Sequence, residues 1–310
     1  MNKIKSNQYF EGWFYKVVSK DLKYIYAFIP GISKTDDEKA HSFIQVMDGV
    51  KYKSYNIKYP INSFTYVTDD AVKIGNNIFS KNGIRLDIDR NELKISGELL
   101  FDNICDIKRS KLSPTAMGYF EYFNFLECKH EVLSMNHNIV GELAINHSDH
   151  SNKDTILNFN NGKGYIEKDM GTSFPKNYVW VQSNHFKNES ISLMCSVADI
   201  PFIYKSFKGF ICILHVNNNE YRFTTYNNSK IVNETITNKN INITLKNNMY
   251  YLEINAEINK AAPLFSPKNA AMSSSIMESL QSNVTIKLYD NNKNLIVKDE
   301  SSIAGLEIVI

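Results

Sequence analysis

Tyr178-Val179-Trp180-Val181-Gln182-Ser183-Asn184-His185-Phe186 alternates from side to side along its whole length. That is the period of an extended strand with two different faces, not of a helix. Lys208 to Val216 repeats the pattern, with Phe210, Cys212, Leu214 and Val216 on one side. Segments 84–88 and 93–101 flank Asp89-Arg90-Asn91, and segments 241–246 and 249–258 flank Asn247-Asn248. Segments 284–289 and 295–298 flank an Asp/Asn-rich turn. All three read as hairpins. Aromatic residues make up 12% of the chain, with 18 Tyr and 18 Phe, and they favour pleated, half-buried surfaces. Short strands separated by turn formers predict an all-β protein of barrel or sandwich type with few short helices. The best helix is 268–282, where Met272, Ile276 and Leu280 share a helical face.

The chain has 310 residues, enough for one large domain or two of about 150. The polar stretch 146–163 predicts a division into 1–155 and 156–310. A hydrophobic fraction of 43% excludes wholesale disorder. Lys plus Arg number 35 against 33 Asp plus Glu, a balance that gives no long-range pull toward nucleic acid. No run approaches the roughly 18 apolar residues of a spanning helix. The opening residues are basic without an apolar core, so no secretory signal is expected. Cys105, Cys128, Cys195 and Cys212 form no CxxC and read as buried free thiols of a reducing cytoplasm. The Asn-x-Ser/Thr triplets then carry no weight.

No GxSxG elbow, P-loop, GxGxxG or HExxH occurs. His130-Glu131 begins like a zinc helix, but Ser134 stands where the second ligand belongs. His147 and His150 read as loop histidines, and Gly162 and Gly164 are too few to cradle a phosphate. Nucleotide, metal and serine-hydrolase chemistry are unsupported.

Three segments mix carboxylates, histidines and aromatics densely. The first is Tyr9 to Lys16, with Glu11, Trp13 and Tyr15. The second runs from Met117 through Tyr119 and Glu121 to Glu127, His130 and His137. The third is Gly164 to Pro175, with Glu167 and Asp169, followed by the strand that carries Trp180, Gln182, Asn184 and His185. Phe10-Glu11-Gly12-Trp13-Phe14-Tyr15, Glu167-Lys168-Asp169-Met170-Gly171-Thr172-Ser173-Phe174-Pro175, Trp180-Val181-Gln182-Ser183-Asn184 and Ala304-Gly305-Leu306-Glu307 together resemble the tocopherol cyclase family. In order they span nearly the whole chain. Met170 departs from the Trp usual in that family, which puts substrate shape in doubt.

The resemblance implies two lipocalin-like (calycin) β-domains around an apolar cavity, and ring closure of a prenylated quinol or related isoprenoid. Such closure protonates an alkene, leaves a tertiary cation and captures it with a phenol oxygen. It asks for a carboxyl kept neutral by burial, aromatic faces beside the cation, and exclusion of water. No cofactor and no metal are expected. On this reading Asp169 is the proton donor, Glu167 and Glu11 are further acids, and His185 or His137 relays the proton. Trp13, Tyr15, Tyr119, Glu121, Trp180, Gln182 and Asn184 are the expected substrate contacts. Each has a plainer alternative. Glu167 can pair with Lys168, Asp169 can close a turn before Gly171, Trp13 can close a barrel end, and the histidines can be satisfied core residues. A passive binder of an apolar ligand and a structural protein with a collapsed cavity are the competing functions. The expected partner is a hydrophobic small molecule; transient membrane contact and oligomeric state are left open.

Overall fold

The computed structural model describes residues 8–36, 39–68, 71–123, 126–147, 154–202 and 205–310. His150 lies outside them. The first sheet is built from β1 (Tyr9–Val18), β2 (Ile25–Lys34), β3 (His41–Asp48), β4 (Lys53–Pro60), β5 (Phe64–Thr68), β6 (Ala71–Ile74), β7 (Asn77–Ser80), β8 (Gly83–Asp89), β9 (Leu93–Cys105), β10 (Cys128–His147), β11 (Thr155–Asn158) and β12 (Gly162–Gly171). Its order is β4-β3-β2-β1-β12-β10-β9-β8-β7-β6-β5, with β11 on β10. The second sheet holds β13 (Tyr178–Ser183), β14 (Ser192–Phe202), β15 (Lys205–Val216), β16 (Asn219–Thr224), β17 (Lys230–Ile236), β18 (Asn240–Lys246), β19 (Tyr250–Glu257), β20 (Ala262–Lys268), β21 (Ala271–Asp290) and β22 (Leu295–Val309). Its order is β16-β15-β14-β13-β22-β21-β19-β18-β17, with β20 on β21. Short 3-10 turns at Ile61–Ser63, Gly118–Tyr122 and Thr225–Asn227 are the helical elements among the described residues. None is long and apolar enough to cross a membrane.

Each sheet curls around its own apolar core. Trp13, Tyr15, Val17, Phe28, Phe79, Leu99 and Ile166 belong to the first. Val181, Phe210, Cys212, Leu214, Val216 and Phe223 belong to the second. The alternation expected over Lys208–Val216 is therefore the true inward face of β15. A third cluster, including Phe14, Tyr165, Tyr178, Trp180, Met194 and Leu280, fills the seam between the sheets.

Two expectations are corrected. The division at 155/156 falls inside β11, which pairs with β10, so the first sheet runs on to Gly171 and the second begins at Tyr178. The polar stretch 146–163 thus contains β11 and the start of β12, both in the first sheet. The helix at 268–282 is instead the β20–β21 hairpin. Met272, Ile276 and Leu280 are four apart, a spacing that satisfies a helical face and, being even, a strand face equally. The turn decides: Asn269 and Ala270 both have positive φ, 50° and 65°, as a two-residue hairpin requires. This hairpin reaches across the seam. Gln45 Nε2 donates to the Phe265 carbonyl at 3.0 Å and Ser33 Oγ to the Ala270 carbonyl at 2.8 Å, so one sheet clasps the other.

Strand alternation on β9 gives a direct test. Leu99 is 0% exposed and the adjacent Leu100 is 55% exposed. Leu99→Ala is expected to cost about 2–5 kcal/mol in denaturant unfolding. Leu100→Ala should stay within about 0.5 kcal/mol. The reverse order would mean that β9 is slipped by one residue.

Candidate active site

β12 distributes the chemistry by parity. In the register with β1, Gly12 lies opposite Asp169, Phe14 opposite Glu167 and Lys16 opposite Tyr165, and the side chains of Phe14, Lys16, Tyr165, Glu167 and Asp169 face the seam. Glu11, Trp13 and Tyr15 lie opposite Met170, Lys168 and Ile166 and face the other way. Glu167 and Asp169 therefore share a face, as their spacing requires, and Lys168 cannot pair with Glu167. It forms an ion pair with Glu11 and stands 4.5 Å over the Trp13 ring. Tyr66 also donates to Glu11. Glu11, Trp13 and Tyr15 thus belong to the first sheet's interior and its rim. Met170 is on that side too, so its departure from the family pattern does not reach the cavity.

On the seam side, His130 from β10 stands between the two acids. Its Nδ1 is 3.0 Å from Asp169 Oδ1 and its Nε2 is 3.6 Å from Glu167 Oε2. Glu167 Oε2 accepts hydrogen bonds from the Tyr165 hydroxyl at 2.5 Å and from Trp180 Nε1 at 3.1 Å. Trp180 is held edge-on by Phe14, at 5.4 Å between ring centroids. Its ring lies over Gly305, where an added Cβ would come within 2.7 Å of it. From the second sheet Glu307 faces the same space, its Oε2 accepting from the Tyr178 hydroxyl at 2.5 Å. Glu278, its direct partner on β21, is 0% exposed.

These groups line or underlie a cavity of about 130 Å³ at the seam. Phe120, Phe174, Tyr178, Trp180, Phe207 and Phe210 supply its aromatic wall, and His130, Glu167, Asp169 and Glu307 its titratable floor. Burial pushes the Glu167 carboxyl from its ordinary 4.5 to about 7; Asp169 adds to this, while His130 and Tyr165 oppose it. Burial raises Glu307 to about 7 as well, against the Tyr178 hydrogen bond. Glu278 is pushed well up by burial and by the charges of Glu307 and Glu167. Burial works against the imidazolium of His130, but Asp169 and Glu167 outweigh it and hold the group at about 9.

The other expected site residues lie elsewhere. His137 bonds Ser134 Oγ at 2.9 Å and packs on Phe101 at 4.3 Å; burial drives its pKa to about 3. His185 is pushed well below the usual range by burial and by Lys16 and Lys163. Neither reaches the acids; His130 holds the place expected of them. Gln182 accepts from the buried Lys16 Nζ at 3.2 Å, and Asn184 Nδ2 donates to the Gly164 carbonyl at 2.8 Å. Both amides tie the sheets together and do not line the cavity. Glu121 is buried against Lys129 Nζ at 3.4 Å, a structural ion pair. Tyr119 is 42% exposed and stacks on Phe120 at the cavity rim. Glu127 is exposed. His147 bonds the Tyr55 hydroxyl at 3.0 Å. Tyr165, Tyr178, Glu278 and Glu307 were not singled out as site residues. Each does lie in a stretch the sequence marks: Tyr165 in Gly164 to Pro175, Tyr178 at the start of the alternating strand, Glu278 within 268–282 and Glu307 in the Ala304–Glu307 motif.

His130, Glu167 and Asp169 bring one potential ligand atom each to within 4.8 Å of one another, the single such group among the described residues. A cation there would have to displace bonds already made: Tyr165 and Trp180 to Glu167, and His130 to Asp169.

Two curled antiparallel sheets clasped over a buried acid–imidazole cluster define a lipocalin-like β-protein with a cavity at the seam. The model of the family described as tocopherol cyclase-like matches residues 107–309, and the chain belongs to that family. Solved structures share the fold at low identity. CghA superposes with a TM-score of 0.62 at 9% identity, over 98% of this chain and 89% of that one. CghA with Sch210972 gives 0.60 at 9%, over the same shares. Kievitone hydratase from Nectria haematococca gives 0.50 at 8%, over 99% of this chain and 90% of that one. No curated protein matches the sequence.

The raised acids carry a sign. A carboxyl whose folded pKa lies above its unfolded value contributes stability that is full below about pH 4.5 and is lost as pH rises through about 7. The contribution of His130 is full below 6.5 and is lost as pH rises through about 9. At ~1.4 kcal/mol per pKa unit each step is worth at most on the order of 3 kcal/mol, and the lowered values of Lys16, His137 and His185 act with the opposite slope. The wild-type melting temperature less that of Glu167→Gln is therefore expected to fall as pH rises from 5 to 8. A difference that rises across this range would contradict the assignment.

Proposed function

We propose that the chain is a cyclase of the tocopherol cyclase type, which closes a ring on a prenylated quinol or related isoprenoid phenol by protonating its alkene. The observation that carries this is Glu167: a carboxyl kept near neutrality by burial, hydrogen-bonded in place, and set at the floor of an aromatic cavity. The donor is Glu167 in place of the Asp169 expected from the sequence. Asp169 orients His130, and His130 stands ready to restore the proton.

The steps follow from the groups present. The Glu167 proton adds to the less substituted alkene carbon, and the charge appears on the tertiary carbon. Trp180, Tyr178 and the phenylalanines present ring faces to that charge, worth up to about 2 kcal/mol each when desolvated. The phenol oxygen closes on the cation, and its proton passes to Glu307 on the facing sheet. One proton is given and one is received, so the reaction is an isomerisation. Membership of the tocopherol cyclase-like family supports the reaction class. The aromatic seam supports an apolar substrate.

Incubation with a dimethylallyl quinol in D₂O tests this. A chromanol carrying one deuterium beside the quaternary carbon is expected, with Glu167→Gln lowering turnover by about 10²–10⁴-fold. An alcohol in place of the ring would reassign the protein to hydration, with water capturing the same cation. Saturable binding of the quinol without turnover, unaffected by Glu167→Gln, would leave only a ligand carrier.

A further inference from the structure

Cys105 ends β9 in the first sheet, and its Sγ lies 3.2 Å from Nδ1 of His215 on β15 in the second. His215 and Glu220 are direct cross-strand partners on β15 and β16, so their side chains share a face. His215 Nε2 is 3.2 Å from Glu220 Oε2. Glu220 is fixed in turn. Its Oε2 accepts from the Lys108 backbone N–H at 2.6 Å, and its Oε1 from Arg222 Nε at 2.9 Å. A nucleophile, a base within hydrogen-bond reach and a carboxylate that orients the base make up the arrangement that activates thiols. It shares no residue with the cavity lining.

We propose that Cys105, His215 and Glu220 form a second reactive site, at which the thiol adds covalently to an activated alkene such as an α,β-unsaturated carbonyl compound. The thiol proton passes to His215 Nδ1. The sulfur attacks the β-carbon, the C–S bond forms as the π bond breaks, and His215 returns the proton to the α-carbon. Nothing leaves and no oxidant is needed. Glu220 and Cys105 outweigh burial at His215 and hold that group at about 9, which suits a base that keeps the proton. The remaining cysteines are placed differently. Cys195 and Cys212 are 1% and 0% exposed, and Cys128 is bonded to Asp169 with its thiol pushed well up by burial. Cys105 and Cys128 are both partly exposed, which corrects the expectation of four buried thiols, but of the two only Cys105 has an imidazole as its partner.

The test uses the full chain, limiting N-ethylmaleimide and peptide mass mapping, with N-acetylcysteine in the same solution as the reference. At pH 6, Cys105 is expected to react at least about tenfold faster than the free thiol. Between pH 8 and pH 6 its rate should fall by less than about fivefold, whereas an ordinary thiol falls by nearly a hundredfold, roughly in proportion to its thiolate. His215→Gln should restore the ordinary profile. Glu220→Gln, which leaves the imidazole in place, should shift it part of the way and serves if the first variant does not fold. A Cys105 rate at or below that of N-acetylcysteine at pH 6, or a profile indifferent to both substitutions, overturns the proposal. The readout needs no turnover, so it stands or falls separately from the cyclase reading.

Discussion

Glu167 loses its water when β12 packs against β13, and most of the site's chemistry follows from that. A carboxylate taken out of water must find cations and donors or take up a proton. Glu167 does some of each: Tyr165 and Trp180 donate to it, His130 stands beside it, and its pKa still rises. The same pressure acts on Glu307 and Glu278 from the facing sheet and on Lys16 beneath them, whose ammonium burial lowers to about 7. The seam thus gathers groups that can exchange protons near neutral pH, in a place where bulk water does not level them.

The clasp of the β20–β21 hairpin keeps the seam closed. Its backbone carbonyls take hydrogen bonds from Gln45 and Ser33 of the first sheet, and Lys16 donates to the Ile303 carbonyl of the second at 2.8 Å. These contacts are polar and directional, so they set how the sheets face each other as well as holding them together. The cavity inherits its shape from that arrangement. Each sheet already has a packed core of its own, and room for a ligand is left where the two meet.

Much of the fold was legible along the chain. Hairpins at 84–101 and 241–258 were marked by turn residues and by alternation, both of which are local properties. Local information also failed where two periods coincide, as at Met272, Ile276 and Leu280. The polar stretch 146–163 looked like a boundary because a short strand such as β11, which buries only Leu157, differs little in composition from a linker.

In the site, the sequence by itself determined that Glu167 and Asp169 share a face, because alternation on one strand is fixed by the backbone, and that the family motifs occur in order. It could not say which histidine joins those acids, since His130, His137 and His185 all sit beside aromatic strands. Tertiary structure decided that. Pairing of β10 with β12 set His130 opposite Asp169 and His137 opposite Gly164, seven residues farther along and on the other face of the strand. Glu278 and Glu307 became a pair only because β21 and β22 lie side by side. Desolvation, which makes these groups acids of the right strength, is a property of the closed seam and of no single segment.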